Sequence, residues 1–197
     1  MTQTPSEVLR FRWLDAMLPD VPFDGWTETT AARAAKQAGL SEGEQALAAP
    51  NGVPDLIDAF FDRAGQAARE ALADQDISAL KTPARVKAGV LAWLAALEPN
   101  REAVRRAAVR GLLPWGAASA VQRTWRIADM VWDEAGDTSE DYNRYSKRGL
   151  LAAVIPPIIM SRILTSSMSA TISGPGVGGT REWAIAPPAT MARMNNR

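Results

Sequence analysis

Apolar residues recur along the chain at helical spacing, and turn-forming residues cut the pattern into segments. Leu9, Phe11, Trp13, Leu14, Met17 and Leu18 make the apolar set of an opening helix that Pro19 closes, and Pro22-Phe23-Asp24-Gly25 reads as a turn. Thr27 is placed to cap a second helix with a slim packing face of Ala31, Ala34, Ala35 and Ala38, and Gly39 stops it. Ser41, with Glu44 three residues later, has the spacing of a capping box for a short third helix that Pro50-Asn51-Gly52 ends. A fourth helix, over 53–73, sets Val53, Leu56, Ile57, Phe60 and Phe61 on one side before an alanine-rich half.

Thr82-Pro83 opens a fifth helix with a stripe of Val86, Val90, Leu91, Leu94 and Leu97, Trp93 on its shoulder and Pro99 at its end. The sixth, over 101–112, turns Ala103, Val104, Ala107 and Ala108 inward and Arg101, Arg105, Arg106 and Arg110 outward, until Pro114 breaks it. The seventh carries Val121, Trp125, Ala128 and Trp132 and runs into Gly136, the residue that most easily takes the left-handed conformation ending a helix. Asp137, Thr138 and Ser139 then offer oxygens to the free N–H groups of an eighth helix, Glu140 and Asp141 suit the positive end of its dipole, and Pro156-Pro157 kinks or ends it. No segment sustains a strand period. The expected fold class is all-α, with a helix-turn-helix-like head over 1–52 and a helical body over 53–165. Residues 166–197 include Ser-Gly-Pro-Gly-Val-Gly-Gly-Thr and Ala-Pro-Pro-Ala and read as a tail without a stable element.

Composition narrows the chemistry. A chain of 197 residues, 47% of them hydrophobic, suits one domain with a core of its own. Lys plus Arg and Asp plus Glu both number 22, so no global charge draws the chain to a polyanion. The absence of cysteine removes disulfides, thiolate metal sites and thiol nucleophiles, and the absence of histidine removes His-based zinc sites and Ser-His-Asp triads. The acidic residues near the Gly136 corner have no calcium-loop spacing and read as capping and solvating it, so neither a metal site nor a catalytic set is expected. Over Thr27 to Leu47 the head has helix-turn-helix length and a Gly-Leu-Ser turn, but charge argues against DNA binding: from Gln37 to Asp62 there is no basic residue, whereas Glu42, Glu44, Asp55, Asp58 and Asp62 are acidic and would be repelled by phosphates. The start, Met-Thr-Gln-Thr-Pro-Ser-Glu, resembles neither a secretory signal nor an arginine-rich transit peptide. The apolar run from Gly149 to Met160 is shorter than the roughly 20 residues of a spanning helix. A bacterial cytoplasmic protein is expected.

From Ala135 to Arg148 the chain reads Ala-Gly-Asp-x-Ser-x-Asp-x-Asn-x-Tyr-x-Lys-Arg, with Trp132 ahead and Leu150 behind. This resembles the signature of the COQ-nine family of ubiquinone-biosynthesis accessory proteins. The likeness reaches back to about Leu9 through Pro22-Phe23, Gly25-Trp26 and Ala38-Gly39-Leu40-Ser41, in that order. It implies a TetR-like bundle whose body binds a polyprenyl quinone or phospholipid. It also implies a homodimer, peripheral to the inner (cytoplasmic) membrane, that presents quinone intermediates to the demethoxyubiquinone hydroxylase without catalysis or any cofactor beyond that lipid. The alternative is a TetR-type transcriptional regulator with a lipophilic effector.

Candidate lipid-pocket residues are Trp93, Leu94, Trp125, Trp132, Leu151, Val154, Ile155 and Ile158, with Trp115, Leu150 and Ile159 as further bulky apolar surface. The partner surface is expected at Asp141, Asn143, Arg144, Tyr145 and Arg148, with Asp141, Tyr145 and Arg148 on one side of the helix by their spacing. Where the family carries an aromatic pair after the asparagine, this chain has Arg144 and Tyr145, which changes one apolar anchor to a charge. The family's terminal amphipathic helix, credited with holding membrane, is not recognisable in the tail. Membrane contact is therefore expected on the apolar continuation of the eighth helix, and the arginines of the sixth are read as solvating it.

Overall fold

The computed structural model describes residues 4–75, 77, 79–137 and 142–172. Among the described residues every regular element is a helix, as the all-α expectation has it. Helix α1 (Pro5–Met17) starts earlier than its apolar set suggests, because Thr4 and Glu7 form a reciprocal capping box. The expected turn at Pro22-Phe23 is a one-turn helix, α2 (Val21–Asp24), ended by Gly25 at φ +74°. Thr27 caps α3 (Glu28–Gln37), and Ser41 and Glu44 close the capping box of α4 (Glu42–Ala48). Next come α5 (Val53–Ala73), α6 (Thr82–Leu97), a 3₁₀ turn over Glu98–Asn100, α7 (Arg101–Gly111), α8 (Pro114–Glu134) and α9 (Tyr142–Ile172).

α5 lies along α6, α8 along α9, and α1 packs on α3, α4 and α5. The core is continuous from head to body. Trp26, Phe60, Phe61 and Trp93 form a chain of rings with successive centroids 5.6, 5.1 and 6.1 Å apart, each contact contributing about 0.5–1.5 kcal/mol beyond burial. The indole N–H of Trp26 donates to the Ala103 carbonyl at 2.9 Å and so fixes α7 against the head. Two of the arginines read as outward-facing do the same: Arg106 donates to the Pro22 carbonyl and Arg110 to the Trp26 carbonyl, each at 2.9 Å. Long guanidinium stems reach the Pro22 and Phe23 carbonyls at the end of the short α2 and the Trp26 carbonyl just beyond it, which is why helical phase alone misplaced them.

Pro156 and Pro157 do not end the last helix. α9 continues through both to Ile172, into the stretch read as structureless, and the rest of that tail lies outside the described residues. Both prolines are exposed, so the carbonyls that lose their partners at Ala152 and Ala153 can turn to water, while Ile155 is buried and Ile158 half-buried on the other side.

Candidate functional site

The corner between α8 and α9 turns at Gly136, in the left-handed region at φ +76°, as its sequence predicts. Thr138, Ser139, Glu140 and Asp141 lie outside the described residues. Asp137 is an acceptor for cations: Lys147 Nζ lies 2.8 Å from its Oδ1, and Arg148 Nη1 donates to its Oδ2 at 3.0 Å. Arg148 is 2% exposed. Its guanidinium also donates to Asp129 through Nε and to Asp133 through Nη2 at 2.8 Å. Asp129, Asp133 and Asp137 follow one another at four-residue intervals, so α8 and the turn beyond it surround one cation from α9 with three carboxylates. Burial pulls the Arg148 pKa down and the hydrogen bonds to Asp129 and Asp137 push it up, with a net shift upward. Arg148 therefore docks α9 onto α8 and is not part of an exposed partner surface. Packed neighbours on α8, invisible to the i, i+3 and i+4 geometry of α9 alone, turn it inward.

Asn143, Arg144 and Tyr145 do stand on the surface, Tyr145 at 63% exposure. Trp132 is half-buried beneath this turn; its indole N–H donates to the Lys147 carbonyl at 3.1 Å and its ring lies 5.3 Å from Lys147 Nζ. Trp125, one of the expected pocket residues, opens instead onto a surface hollow of about 420 Å³ shared with Asp129, Arg144, Tyr145 and Arg148. Tryptophan and partner-surface residues thus meet in one place.

The expected pocket set does not converge on a single cavity. Trp93, Leu94 and Ile155 are in the core, Leu151 and Ile158 are half-buried, and Val154 is 50% exposed. The Trp115 side chain lies outside the described residues. The apolar cavity lies elsewhere, between α7, α8 and α9: a crevice of about 150 Å³ with walls that include Val104, Ala108, Leu112, Ala120, Ile127 and Ile159. Small residues on α7 and α8 open it, among them Gly111, which approaches Ala120 closely. A second, larger crevice of about 370 Å³ has Phe61 and Trp93 among its walls, but Arg10, Asp62, Arg69, Arg126 and Asp133 line it with charge. The carboxyl of Asp62 is pushed up chiefly by loss of hydration, against the pull of Arg126. Sequence reasoning missed the alanine and glycine side of the apolar crevice; the spacing of Ala107, Ala108 and Gly111 was its available signal.

An all-helical chain with this corner has recognisable relatives. The family model described as COQ9 matches residues 117–166, which take in most of α8, the Gly136 corner and most of α9. The chain is 30% identical over 156 residues to the human ubiquinone biosynthesis protein COQ9, mitochondrial, an alignment covering 76% of this chain and 49% of the human protein. The rat and bovine proteins of the same name are each 28% identical over 156 residues, again 76% of this chain, and 50% and 49% of their own lengths. These matches support the COQ9 family for this chain, and the family-model match takes in the corner motif. The chain spans about half the length of the curated relatives it matches. Those relatives are mitochondrial proteins of mammals, so the bacterial source expected from the sequence is not borne out. Among the described residues, no helix is long and apolar enough to cross a membrane.

Proposed function

We propose that this chain is a non-enzymatic accessory protein of ubiquinone biosynthesis that takes part of a polyprenyl quinone or phospholipid tail into the α7–α8–α9 crevice. It acts peripherally at a membrane and offers the hydroxylase of that pathway the surface around Asn143, Arg144 and Tyr145. The observation that carries this reading is the crevice itself: mostly apolar walls, with Pro156 and Ile159 on the α9 side, and an exposed polar and aromatic hollow between α8 and α9. Its volume of about 150 Å³ is below the roughly 300–1,000 Å³ of whole-ligand pockets, so it fits a length of chain and leaves the headgroup outside. A tail segment moving from one apolar medium to another needs no polar partner, and the apolar walls keep it out of water once it has left the bilayer.

The regulator reading is less well supported. α4, the short helix in the head, carries Glu42 and Glu44, and the Glu44 carboxyl is already committed to the Ser41 cap. Mass spectrometry of an organic extract of full-length protein, purified without detergent, tests the proposal. An isoprenoid or phospholipid in the wild type and its loss in Ala108→Phe, which fills the crevice, is the expected result. Protein free of lipid in both, or lipid retained equally in both, overturns it. Deleting the gene separates the two roles: accumulation of a demethoxy quinone precursor fits the accessory, whereas normal quinone with altered transcripts fits a regulator.

A further inference from the structure

The end of α7 exposes apolar side chains that the fold does not use. Val109 is 52% exposed, Leu112 73% and Leu113 38%, and the four-residue and three-residue steps from Arg101 through Arg105 and Val109 to Leu112 put these positions along one outward strip. Leu112 belongs to two surfaces at once, being both the most exposed of the three and part of the apolar crevice wall. The other end of the strip carries Arg101, paired with Glu98 at 3.2 Å, and Arg105, bonded to Glu102, and the segment 98–111 as a whole holds four arginines against those two glutamates. We propose that the α7–α8 corner is the surface that meets an anionic bilayer, with Val109, Leu112 and Leu113 entering the apolar region and Arg105 and Arg101 at the headgroups.

The spacing suits that arrangement. At the helical rise, Arg105 lies about 6 Å and Arg101 about 12 Å back along the axis from Val109, and interfacial helices sink by about 5–10 Å. With the C-terminal end of α7 tipped into the membrane, these axial distances become depth, and the guanidinium groups lie at phosphate level as the leucines reach hydrocarbon. Charge selects the occupant: the segment holds more arginine than glutamate, an excess that an anionic headgroup layer offsets and an uncharged apolar partner does not. Because Leu112 also lines the crevice, a lipid tail passes from the bilayer into the protein along one continuous apolar wall. This inference rests on the proposed lipid-binding role and assigns its membrane side to α7, not to the exposed part of α9 where the sequence had placed it.

Flotation of the full chain with vesicles of phosphatidylcholine alone, and of phosphatidylcholine with one quarter phosphatidylglycerol, tests the assignment. The wild type is expected to float with the anionic vesicles, and less as salt is raised. Leu112→Asp is expected to reduce the bound fraction by about tenfold, the factor for removing one inserted leucine. Arg101→Glu combined with Arg105→Glu should abolish the preference for anionic vesicles, and Val154→Asp, an exposed site on α9, should float as wild type. Thermal melts of each variant exclude unfolding as the cause. If Val154→Asp detaches the protein and Leu112→Asp does not, the corner assignment falls while the lipid role stands. If the wild type floats with neither vesicle, both fall. If Leu112→Asp leaves flotation intact but changes the molar mass measured by light scattering, the strip is a subunit contact and the membrane assignment is overturned.

Discussion

Replacing Arg148 by methionine isolates what holds the last helix in place. The arginine is almost fully buried, and its three carboxylate partners differ: Asp129 is 37% exposed, Asp133 52% and Asp137 5%. At hydrogen-bond distances a single such pair is worth about 5–6 kcal/mol at an effective dielectric of 20, and desolvating the arginine offsets several kcal/mol of it. Methionine removes attraction and desolvation cost together. The carboxylates left behind set the net result. Water can reach Asp129 and Asp133, and Asp129 keeps Arg144 at 3.5 Å. Asp137 is buried but keeps Lys147 at 2.8 Å. The loss is therefore smaller than the roughly 3–5 kcal/mol of breaking a wholly buried pair and comes to about 2 kcal/mol. For a chain of this size that lowers the melting temperature by about 4–8 °C. Urea unfolding followed by circular dichroism measures it. Arg148→Lys should fall between wild type and Arg148→Met, because one ammonium cannot serve three carboxylates in the guanidinium geometry. Asp137→Asn should recover part of the loss in the methionine background, by neutralising the acid that water reaches least. A methionine variant as stable as wild type, or more so, would refute the reasoning and show that the charge cluster costs as much as it contributes.

Other predictions concern separate parts of the fold. A Cβ on Gly116 would lie 2.2 Å from the Arg110 carbonyl oxygen, so Gly116→Ala should cost about 2 kcal/mol or more by forcing α8 off the end of α7. Gly43→Ala, with nothing within 4 Å of its added Cβ, should instead stabilise α4 by about 0.5–1 kcal/mol, both read from urea midpoints. The Glu44 carboxyl is held below the usual range by the Ser41 backbone N–H first and the Ser41 hydroxyl second. A depressed folded-state pKa means that its contribution is complete above the ordinary glutamate value of about 4.3 and is lost as pH falls through the lowered one. Glu44→Gln should therefore show a shallower loss of stability below about pH 4.3, measured by thermal melts across an acid series. Tyr145→Ala, at an exposed site, should change stability by less than about 0.5 kcal/mol while weakening capture by the hydroxylase in a binding assay. Equal capture would remove Tyr145 from the contact.

What was legible in the sequence was local. Thr27, the Ser41 and Glu44 pair, Gly39 and Gly136 each act within a few residues, and each performs the backbone role its type and spacing assign. The start of α1 was local too, but Thr4 and Glu7 precede the apolar set that begins at Leu9, and a reading led by hydrophobic period passes over them. What was not legible depends on pairs of helices. Whether Arg148 faces water or Asp129, and whether Arg106 solvates its helix or caps another, follows from packing between segments far apart in the chain. The four-residue spacing of Asp129, Asp133 and Asp137 was a usable hint that a cation from elsewhere is bound there. The crevice left a weaker trace, since it arises where side chains are small, and a search for bulky residues looks past it.

The two prolines of α9 have a mechanical consequence. Near its start this helix is clamped to α8 by the Arg148 cluster, and two turns later it lacks the amide hydrogens of Pro156 and Pro157. Its backbone ladder is thus thinnest where Pro156 borders the crevice, and there the packing of Ile155, Ile158 and Ile159 holds the helix in its place. A bend there costs no hydrogen bond at Pro156 or Pro157, since neither residue has an amide hydrogen to donate.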